Sequence, residues 1–133
     1  MQAPTHSQFS PTVFIIDDDI ATRDFIKTVL TQERPLVQYV EIHDGLTALV
    51  ELLNLTIEPS LVILDIQMPK VNGHHIVKEL RQRYHKNDLP IVMCTATNNR
   101  DLLMDLLQLG VNDMLLKPFD RFALLAKTLK YLG

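Results

Sequence analysis

The chain alternates between short apolar runs and longer segments with helical periodicity. Continuously apolar runs bounded by polar residues are typical of strands buried on both faces of a parallel sheet. The run over 37–42 alternates between apolar and polar residues, which predicts a strand nearer the sheet edge. The predicted strands are Val13–Ile16, Val37–Ile42, Leu61–Leu64, Pro90–Cys94 and Met114–Leu116.

Between these runs, apolar residues recur at the spacing of one helix face. In the first such segment Phe25 and Val29 are four residues apart. Gly110 directly follows a leucine-rich segment, so we expect it to end a helix. Strands that alternate with helices predict an α/β fold with a parallel sheet, right-handed crossovers and helices on both faces. The predicted helices are Ala21–Gln32, Leu46–Leu55, Gly73–Tyr84, Asn98–Leu109 and Phe119–Leu132.

Composition and charge are those of one globular domain. The 133 residues include 13 Lys and Arg against 16 Asp and Glu, a net charge of −3, which argues against direct nucleic-acid binding through bulk positive charge. The single cysteine, Cys94, excludes an internal disulfide and is expected to be a buried core thiol. No apolar run approaches the roughly 20 residues of a membrane span, and no secretory signal is evident. We therefore expect no membrane insertion and a cytoplasmic protein, with a flexible tail over 1–11 and one domain over 12–133.

Polar residues stand directly after four of the five predicted strands. In an open parallel sheet, ligands bind beyond the carboxyl ends of the strands, so these side chains are expected to meet at one rim. The residues are Asp17-Asp18-Asp19 after the first strand, Asp65 after the third, Thr95 after the fourth and Lys117-Pro118 after the fifth.

Several carboxylates at one rim repel each other unless a cation lies between them. Mg²⁺ prefers oxygen ligands, and a lysine such as Lys117 supplies a point charge that reaches a carboxylate or a phosphate. Thr95 adds a hydroxyl donor. A pocket with these groups is equipped to accept a phosphoryl group, with one carboxylate as the nucleophile. Taken singly, each residue is more often a helix cap or a solvated turn; Asp19 in particular is expected to be an N-cap.

Over 12–133 the chain resembles the receiver domain of two-component response regulators. This resemblance implies a doubly wound, five-stranded parallel sheet of strand order 2-1-3-4-5, a flavodoxin-like (βα)5 fold. Each matching segment is weak alone, but the ordered set is specific. The segments are Phe14-Ile15-Ile16-Asp17-Asp18, Leu61-Val62-Ile63-Leu64-Asp65, Met68-Pro69, Gly73, Thr95-Ala96 and Lys117-Pro118-Phe119.

The resemblance also implies a role for each residue of the acidic pocket. Asp65 is the expected phosphoacceptor in a Mg²⁺-dependent reaction with the phosphohistidine of a histidine kinase or phosphotransfer protein. Asp18, Asp65 and the backbone carbonyl of Gln67 are the expected direct Mg²⁺ ligands, and Asp17 is expected to act through a metal-bound water. The family is a signalling module with self-catalysed phosphorylation and dephosphorylation rather than a metabolic enzyme, and it acts on a downstream protein target.

The remaining matches concern the switch and the reaction rate. Lys117 is expected to pair with the phosphoryl group, Thr95 to move toward it, and Pro118 to follow a cis peptide bond. One departure lies three residues before Lys117, where the family usually has an aromatic switch residue and this chain has Met114. Gln67 and Thr97 occupy positions at which the family tunes the dephosphorylation rate.

The fourth predicted helix carries more leucines than one buried face needs. We expect Met104 and Leu107 to face the sheet, which leaves Leu103 and Leu106 partly exposed. These two leucines are candidate interface residues. The hypothesis is that the region 98–133 forms a homodimer, or docks a partner, when Asp65 is phosphorylated.

Three rival classes fit the sequence less well. A phosphatase-like phosphotransferase of the haloacid-dehalogenase type could use Asp17 and Asp19, but Ala21 stands where that class has Thr or Val, and no later acidic pair follows a strand. A flavodoxin-like FMN carrier needs a phosphate-binding loop where this chain has an acidic triplet. A degenerate receiver that only binds partners is disfavoured by the intact acidic set.

Overall fold

The computed structural model describes residues 10–133, which form one five-stranded sheet with five α-helices. All strand pairs are parallel, and the strand order is β2-β1-β3-β4-β5, as predicted. The strands are β1 (Thr12–Ile16), β2 (Gln38–Ile42), β3 (Leu61–Asp65), β4 (Ile91–Thr95) and β5 (Asp113–Leu116). The helices are α1 (Ile20–Glu33), α2 (Gly45–Leu53), α3 (Gly73–Arg81), α4 (Arg100–Leu109) and α5 (Arg121–Thr128), after which a 3₁₀ turn covers Leu129–Tyr131.

Two hydrophobic layers hold the sheet between the helices. Successive side chains of a strand point to opposite faces, so Phe14 and Ile16 of β1 join one layer with α2, α3 and α4. Val13 and Ile15 join the other layer with α1 and α5. The central strands β3 and β4 are buried along their whole length, whereas β2 is the partly exposed edge strand that its alternating sequence predicts. Cys94 is buried in the second layer, as expected, and burial raises the pKa of its thiol to about 12.

Each helix begins at an aspartate or asparagine whose side chain accepts a backbone N–H of the first turn. This satisfies an amide that otherwise has no partner within the helix. Asp19 caps α1, as predicted, and the other caps are Asp44, Asn72, Asn99 and Asp120. Asp120 explains why α5 begins later than its apolar pattern suggests. Gly110 ends α4 in the left-handed region at φ 106°, as predicted.

The orientation predicted for α4 is wrong. Leu106 is fully buried in the first layer, and Leu102 and Leu109 pack beside it. Met104 and Leu107 are instead 50% and 47% exposed, while Leu103 is half-buried. The leucines form two overlapping stripes, and the stripe at Leu102, Leu106 and Leu109 is the one that reaches the sheet because it follows the i, i+4, i+7 spacing of a single face.

Most of the predicted tail over 1–11 lies outside the described residues. At its described end, the carbonyl of Pro11 accepts a hydrogen bond from the N–H of Gln38 at 2.8 Å. Within residues 10–133 no helix combines the length and the apolar character that crossing a membrane requires.

Because Leu106 faces the sheet and Leu107 faces solvent, substitutions at these two positions are expected to change the stability unequally. Leu106→Ala empties a fully buried site and is expected to lower the free energy of unfolding by about 2–5 kcal/mol. Leu107→Ala trims a half-exposed side chain and is expected to cost less than about 1 kcal/mol. Urea denaturation measures both, and a larger loss for Leu107→Ala would contradict this packing.

Candidate functional site

Three carboxylates meet where β1 and β3 end. Asp17 directly follows β1, Asp65 is the last residue of β3, and these are adjacent parallel strands. Carboxylate oxygens of Asp17, Asp18 and Asp65 all lie within 4.8 Å of one another. Asp17 and Asp65 are buried, whereas Asp18 is exposed. The pocket is therefore open to solvent on the side of Asp18.

Lys117 supplies the positive charge of this pocket. It directly follows β5, and its N–H donates to the carbonyl of Thr95 at 2.8 Å. Its Nζ lies 2.7 Å from Oδ2 of Asp17 and 3.4 Å from Oδ2 of Asp65. The peptide bond from Lys117 to Pro118 is cis, as the resemblance implies. One ammonium thus bridges two buried carboxylates that belong to different strands.

The electrostatics of Asp65 reflect burial beside a like charge. Burial raises the pKa of Asp65 above its ordinary value of 3.8, and the neighbouring Asp17 also raises it. The backbone N–H of Gln67, which donates to Oδ1 of Asp65 at 3.1 Å, and the Lys117 ammonium act in the opposite direction without cancelling the rise. Burial alone lowers the pKa of Lys117, but its hydrogen bond and charge interaction with Asp17 outweigh burial, so the pKa of Lys117 is raised.

The three aspartates that follow β1 lie in three different environments. Oδ1 of Asp17 accepts the N–H of Asp19 at 2.9 Å, and its Oδ2 accepts from Lys117. Asp18 projects its carboxylate into the cluster from the exposed side. Asp19 faces α1, where its carboxylate accepts from the N–H of Ala21 and the hydroxyl of Thr22. Asp19 therefore acts as the N-cap of α1.

The loop after Asp65 is tightly shaped. The N–H of Gly73 closes it by donating to the carbonyl of Ile66 at 2.9 Å. A Cβ on Gly73 would lie 2.9 Å from the carbonyl oxygen of Asp65, so this close approach requires glycine. Lys70 lies in the left-handed region at φ 72°, and the N–H of Val71 donates to the carbonyl of Pro69 across it. Gln67, the second residue of the loop, is thereby held next to Asp65.

Thr95 ends β4 at the rim of the pocket, and Met114 lies on the neighbouring strand β5. Thr95 is fully buried, and its hydroxyl accepts the N–H of Thr97 at 3.0 Å rather than bonding to Asp65. The hydroxyl of Thr97 in turn accepts the N–H of Asn99, the cap residue of α4. Met114 is half-buried on β5 and packs against the first hydrophobic layer. A short hydrogen-bonded chain therefore connects Thr95 to the start of α4.

Sequence reasoning missed Arg23. This α1 side chain donates from Nη1 to the backbone carbonyl of Asp17 at 2.6 Å and from Nε to Glu41 at 3.1 Å. The available signal was its place four residues after the cap Asp19, where its N–H bonds to the carbonyl of Asp19. That position puts the side chain on the first turn of α1, close to the end of β1.

The donor set fits a hard divalent cation. The side-chain ligands on offer are all carboxylate oxygens from Asp17, Asp18 and Asp65, without nitrogen or sulfur. Mg²⁺ favours oxygen ligands and keeps several of its waters, which suits a cluster that is open on one side. A dication here offsets the mutual repulsion of the carboxylates.

Comparisons with known proteins point the same way. The family model for the response regulator receiver domain matches residues 13–129. The chain is 36% identical over 115 residues to the "Probable transcriptional regulatory protein SilR" of Salmonella typhimurium, across 86% of this chain and 48% of that protein. The chain spans about half the length of SilR and smaller shares of other curated relatives.

Solved structures agree with the fold. The receiver domain of Francisella response regulator 1452 superposes with a TM-score of 0.77 at 28% identity, covering 92% of this chain and 97% of that one. The chemotaxis response regulator CheY4 of Vibrio cholerae superposes with a TM-score of 0.79 at 24% identity, covering 93% of this chain and 100% of that one. At 24% identity, the similarity to CheY4 shows a shared fold only.

The buried charge of Asp65 predicts a stability gain on its removal. Asp65→Asn leaves Lys117 paired with Asp17 and is expected to raise the stability of the metal-free protein at pH 7 by on the order of 1 kcal/mol, a few degrees in Tm. Because the pKa of Asp65 is raised on folding, the native state binds more protons just above pH 3.8, and wild-type stability falls as pH rises through that window. Asp65→Asn is expected to lose this part of the pH dependence.

Thermal unfolding in EDTA across pH tests this expectation. The matched control is Asp24→Asn, at an exposed aspartate of α1, for which a change within about 0.5 kcal/mol is expected. A lower Tm for Asp65→Asn at pH 7, with Asp24→Asn unchanged, would contradict the electrostatic account of the pocket.

Proposed function

The chain belongs to the response regulator receiver domain family, and from that premise we propose that its phosphoryl acceptor is Asp65. The observation that carries the proposal is the position of its carboxylate, 5% exposed, within 3.4 Å of Lys117 and inside the cluster with Asp17 and Asp18. This nucleophile lies next to an ammonium and a site for a hard cation. These two positive charges are the ones that stabilise a phosphoryl group during its transfer.

In the proposed reaction, a carboxylate oxygen of Asp65 forms a bond to the phosphorus of a phosphohistidine. The P–N bond breaks at the same time, and its electron pair remains on the ring nitrogen. The phosphohistidine carries a proton on its other ring nitrogen, so the imidazole leaves as a neutral group. Lys117 is placed to pair with the transferred phosphoryl oxygens because its Nζ already contacts the Asp65 carboxylate. Water later attacks the acyl phosphate, which releases inorganic phosphate and restores the carboxylate of Asp65.

The proposed cofactor is Mg²⁺, held by Asp18, Asp65 and the backbone carbonyl of Gln67, with Asp17 acting through water. When bound, Mg²⁺ neutralises the charge that develops on the phosphoryl oxygens. The N–H of Gln67 fixes Oδ1 of Asp65, so the residue that offers its carbonyl is already tied to the nucleophile.

The proposed switch begins at Thr95. Its buried hydroxyl can exchange its bond with the N–H of Thr97 for one to a phosphoryl group on Asp65. That exchange alters the chain of hydrogen bonds from Thr97 to Asn99 at the start of α4. Met114 can change rotamer on the neighbouring strand but has no hydroxyl, so we place the readout in α4 and β5. We further propose that Gln67, which is exposed, and Thr97 tune the hydrolysis rate through access of water.

We propose two classes of protein partner and no catalytic role beyond this self-modification. A histidine kinase or a phosphotransfer protein supplies the phosphoryl group, and a downstream protein recognises the phosphorylated state. We assign the phosphoryl transfer and the partner contacts to a domain over residues 12–133. The acidic charge balance supports protein contacts rather than direct nucleic-acid binding by these residues.

Phosphorylation by a small-molecule donor tests the acceptor directly. With acetyl phosphate and Mg²⁺, wild type is expected to gain the mass of one phosphoryl group, and EDTA is expected to prevent the gain. Asp65→Asn is expected to gain none, because it lacks the attacking carboxylate. Intact-protein mass spectrometry measures each species.

Asp24→Asn is the control and is expected to be modified like wild type, because its carboxylate is exposed on α1. Full modification of Asp65→Asn would exclude Asp65 as acceptor, and loss of modification in Asp17→Asn alone would favour the phosphatase-like reading.

We also propose that the phosphorylated form self-associates through the region 98–133. Leu106 is excluded from the contact because it is fully buried, and half-buried Leu103 is a minor candidate. The supporting observation is the set of large apolar side chains exposed around the edge strand β5, on α4, β5 and α5. They are Met104, Leu107, Leu116 and Phe122.

Light scattering after size exclusion tests this surface. Wild type with beryllofluoride and Mg²⁺ is expected to have twice its untreated mass, and Leu107→Glu is expected to stay monomeric because it places a charge in the contact. The matched control is Leu46→Glu on α2, since Leu46 and Leu107 are 49% and 47% exposed. A wild type that remains monomeric in both states, or a loss of dimer in Leu46→Glu, argues against the proposal.

A further inference from the structure

The peptide between Asp17 and Asp18 is held by a side chain from outside the acidic cluster. Nη1 of Arg23 donates to the carbonyl oxygen of Asp17 at 2.6 Å. On the other side of the residue, the N–H of Asp17 donates to the carbonyl of Ile42 at 3.0 Å. The backbone around Asp17 is therefore fixed at both of its polar groups.

Arg23 is itself anchored and largely covered. Its Nε donates to Oε1 of Glu41 at 3.1 Å, and its side chain is 11% exposed. Glu41 lies in the edge strand β2, opposite Ile15 of β1. The other carboxylate oxygen of Glu41 accepts from Nζ of Lys27 at 2.8 Å. The guanidinium thus connects α1, β2 and the end of β1 in one rigid arrangement.

This arrangement matters most for Asp18. The carboxylate of Asp17 is fixed by Lys117 and by the N–H of Asp19. Asp18 is exposed, so the packing that fixes its neighbour does not enclose it. The direction of the Asp18 side chain follows the orientation of the peptide that precedes it, and that peptide contains the carbonyl held by Arg23.

We propose that Arg23 is a positioning residue for the cation site, acting through the Asp17 carbonyl on the carboxylate of Asp18. The inference rests on the proposed Mg²⁺ site and deepens it. Arg23 touches neither the cation nor the phosphoryl group. Its contribution is to hold the peptide so that Asp18 reaches the cluster without reordering when a cation binds.

Positioning and simple charge predict opposite effects when Arg23 is replaced. Removal of a positive charge near an acidic pocket makes the pocket more negative, which by itself tightens Mg²⁺ binding. Loss of positioning weakens Mg²⁺ binding, because Asp18 must then be ordered at the moment of binding. The sign of the change therefore separates the two roles.

The test is Mg²⁺ titration of the unphosphorylated full chain by calorimetry, at a temperature where each variant is folded by circular dichroism. Arg23→Gln is expected to weaken Mg²⁺ binding about tenfold. Lys27→Gln is the matched control: it removes the same charge from the same helix and also removes a partner of Glu41, but Lys27 has no bond to Asp17. Lys27→Gln is expected to bind Mg²⁺ as tightly as wild type or slightly more tightly.

Arg23→Lys keeps the charge but cannot bond Asp17 and Glu41 with a planar fork, so an intermediate loss is expected. If Arg23→Gln does not fold, the Mg²⁺ affinity of Arg23→Lys is the test. A wild-type Mg²⁺ affinity in Arg23→Lys would then overturn the inference. Amide NMR of the metal-free protein gives a second readout. The Asp18 and Asp19 amides are expected to shift or broaden in Arg23→Gln and to stay in place in Lys27→Gln.

The outcomes separate this inference from the proposed function. Failure of wild type to bind Mg²⁺, or unchanged binding in Asp18→Asn, overturns the cation site itself. Binding that is intact in wild type and lost in Asp18→Asn, but unchanged or tighter in Arg23→Gln, overturns only the role of Arg23.

Discussion

The buried pair of carboxylates at Asp17 and Asp65 is the constraint on which the rest of the site depends. Two like charges removed from water repel each other, and burial alone disfavours both. Lys117 bridges them with a single ammonium, at 2.7 Å and 3.4 Å. This leaves the pocket short of positive charge, since three carboxylates share one lysine. An incoming dication relieves the imbalance, which makes the pocket receptive to Mg²⁺ and then to a phosphoryl group.

The fold creates this constraint through strand order rather than through local sequence. Asp17 and Lys117 are 100 residues apart in the chain, yet β1, β3, β4 and β5 all end at the same rim. The two hydrophobic layers stabilise the sheet strongly enough to bear the cost of a charged pocket. The strained backbone at Lys70 and the close approach at Gly73 are, like the buried charges, locally unfavourable. Both are tolerated because they hold the loop beside Asp65.

Much of the fold was accessible from the sequence because burial on both faces leaves a clear mark. The apolar runs of β1, β3 and β4 stand out from their polar ends, and those ends marked Asp17, Asp65 and Thr95. The shorter apolar run of β5 marked Lys117. The face of α4 was predicted wrongly although the stripe of Leu102, Leu106 and Leu109 is visible in the sequence. Apolar residues at the adjacent positions form a second, overlapping stripe that competes with it. Arg23 left only a weak signal, its place on the first turn of α1, because its partners are a backbone carbonyl and a glutamate 18 residues away.

The shortage of positive charge in the pocket is tested most directly by titration of the Asp65 carboxyl group, followed by the NMR shift of its side-chain carboxyl carbon. In metal-free protein, we expect the pKa of Asp65 to lie above its ordinary value of 3.8, because burial and Asp17 disfavour the charged form. With Mg²⁺ present, we expect this pKa to fall, because a neighbouring dication favours the carboxylate. A pKa at or below 3.8 without metal, or a pKa that Mg²⁺ leaves unchanged, would show that the pocket is not short of positive charge.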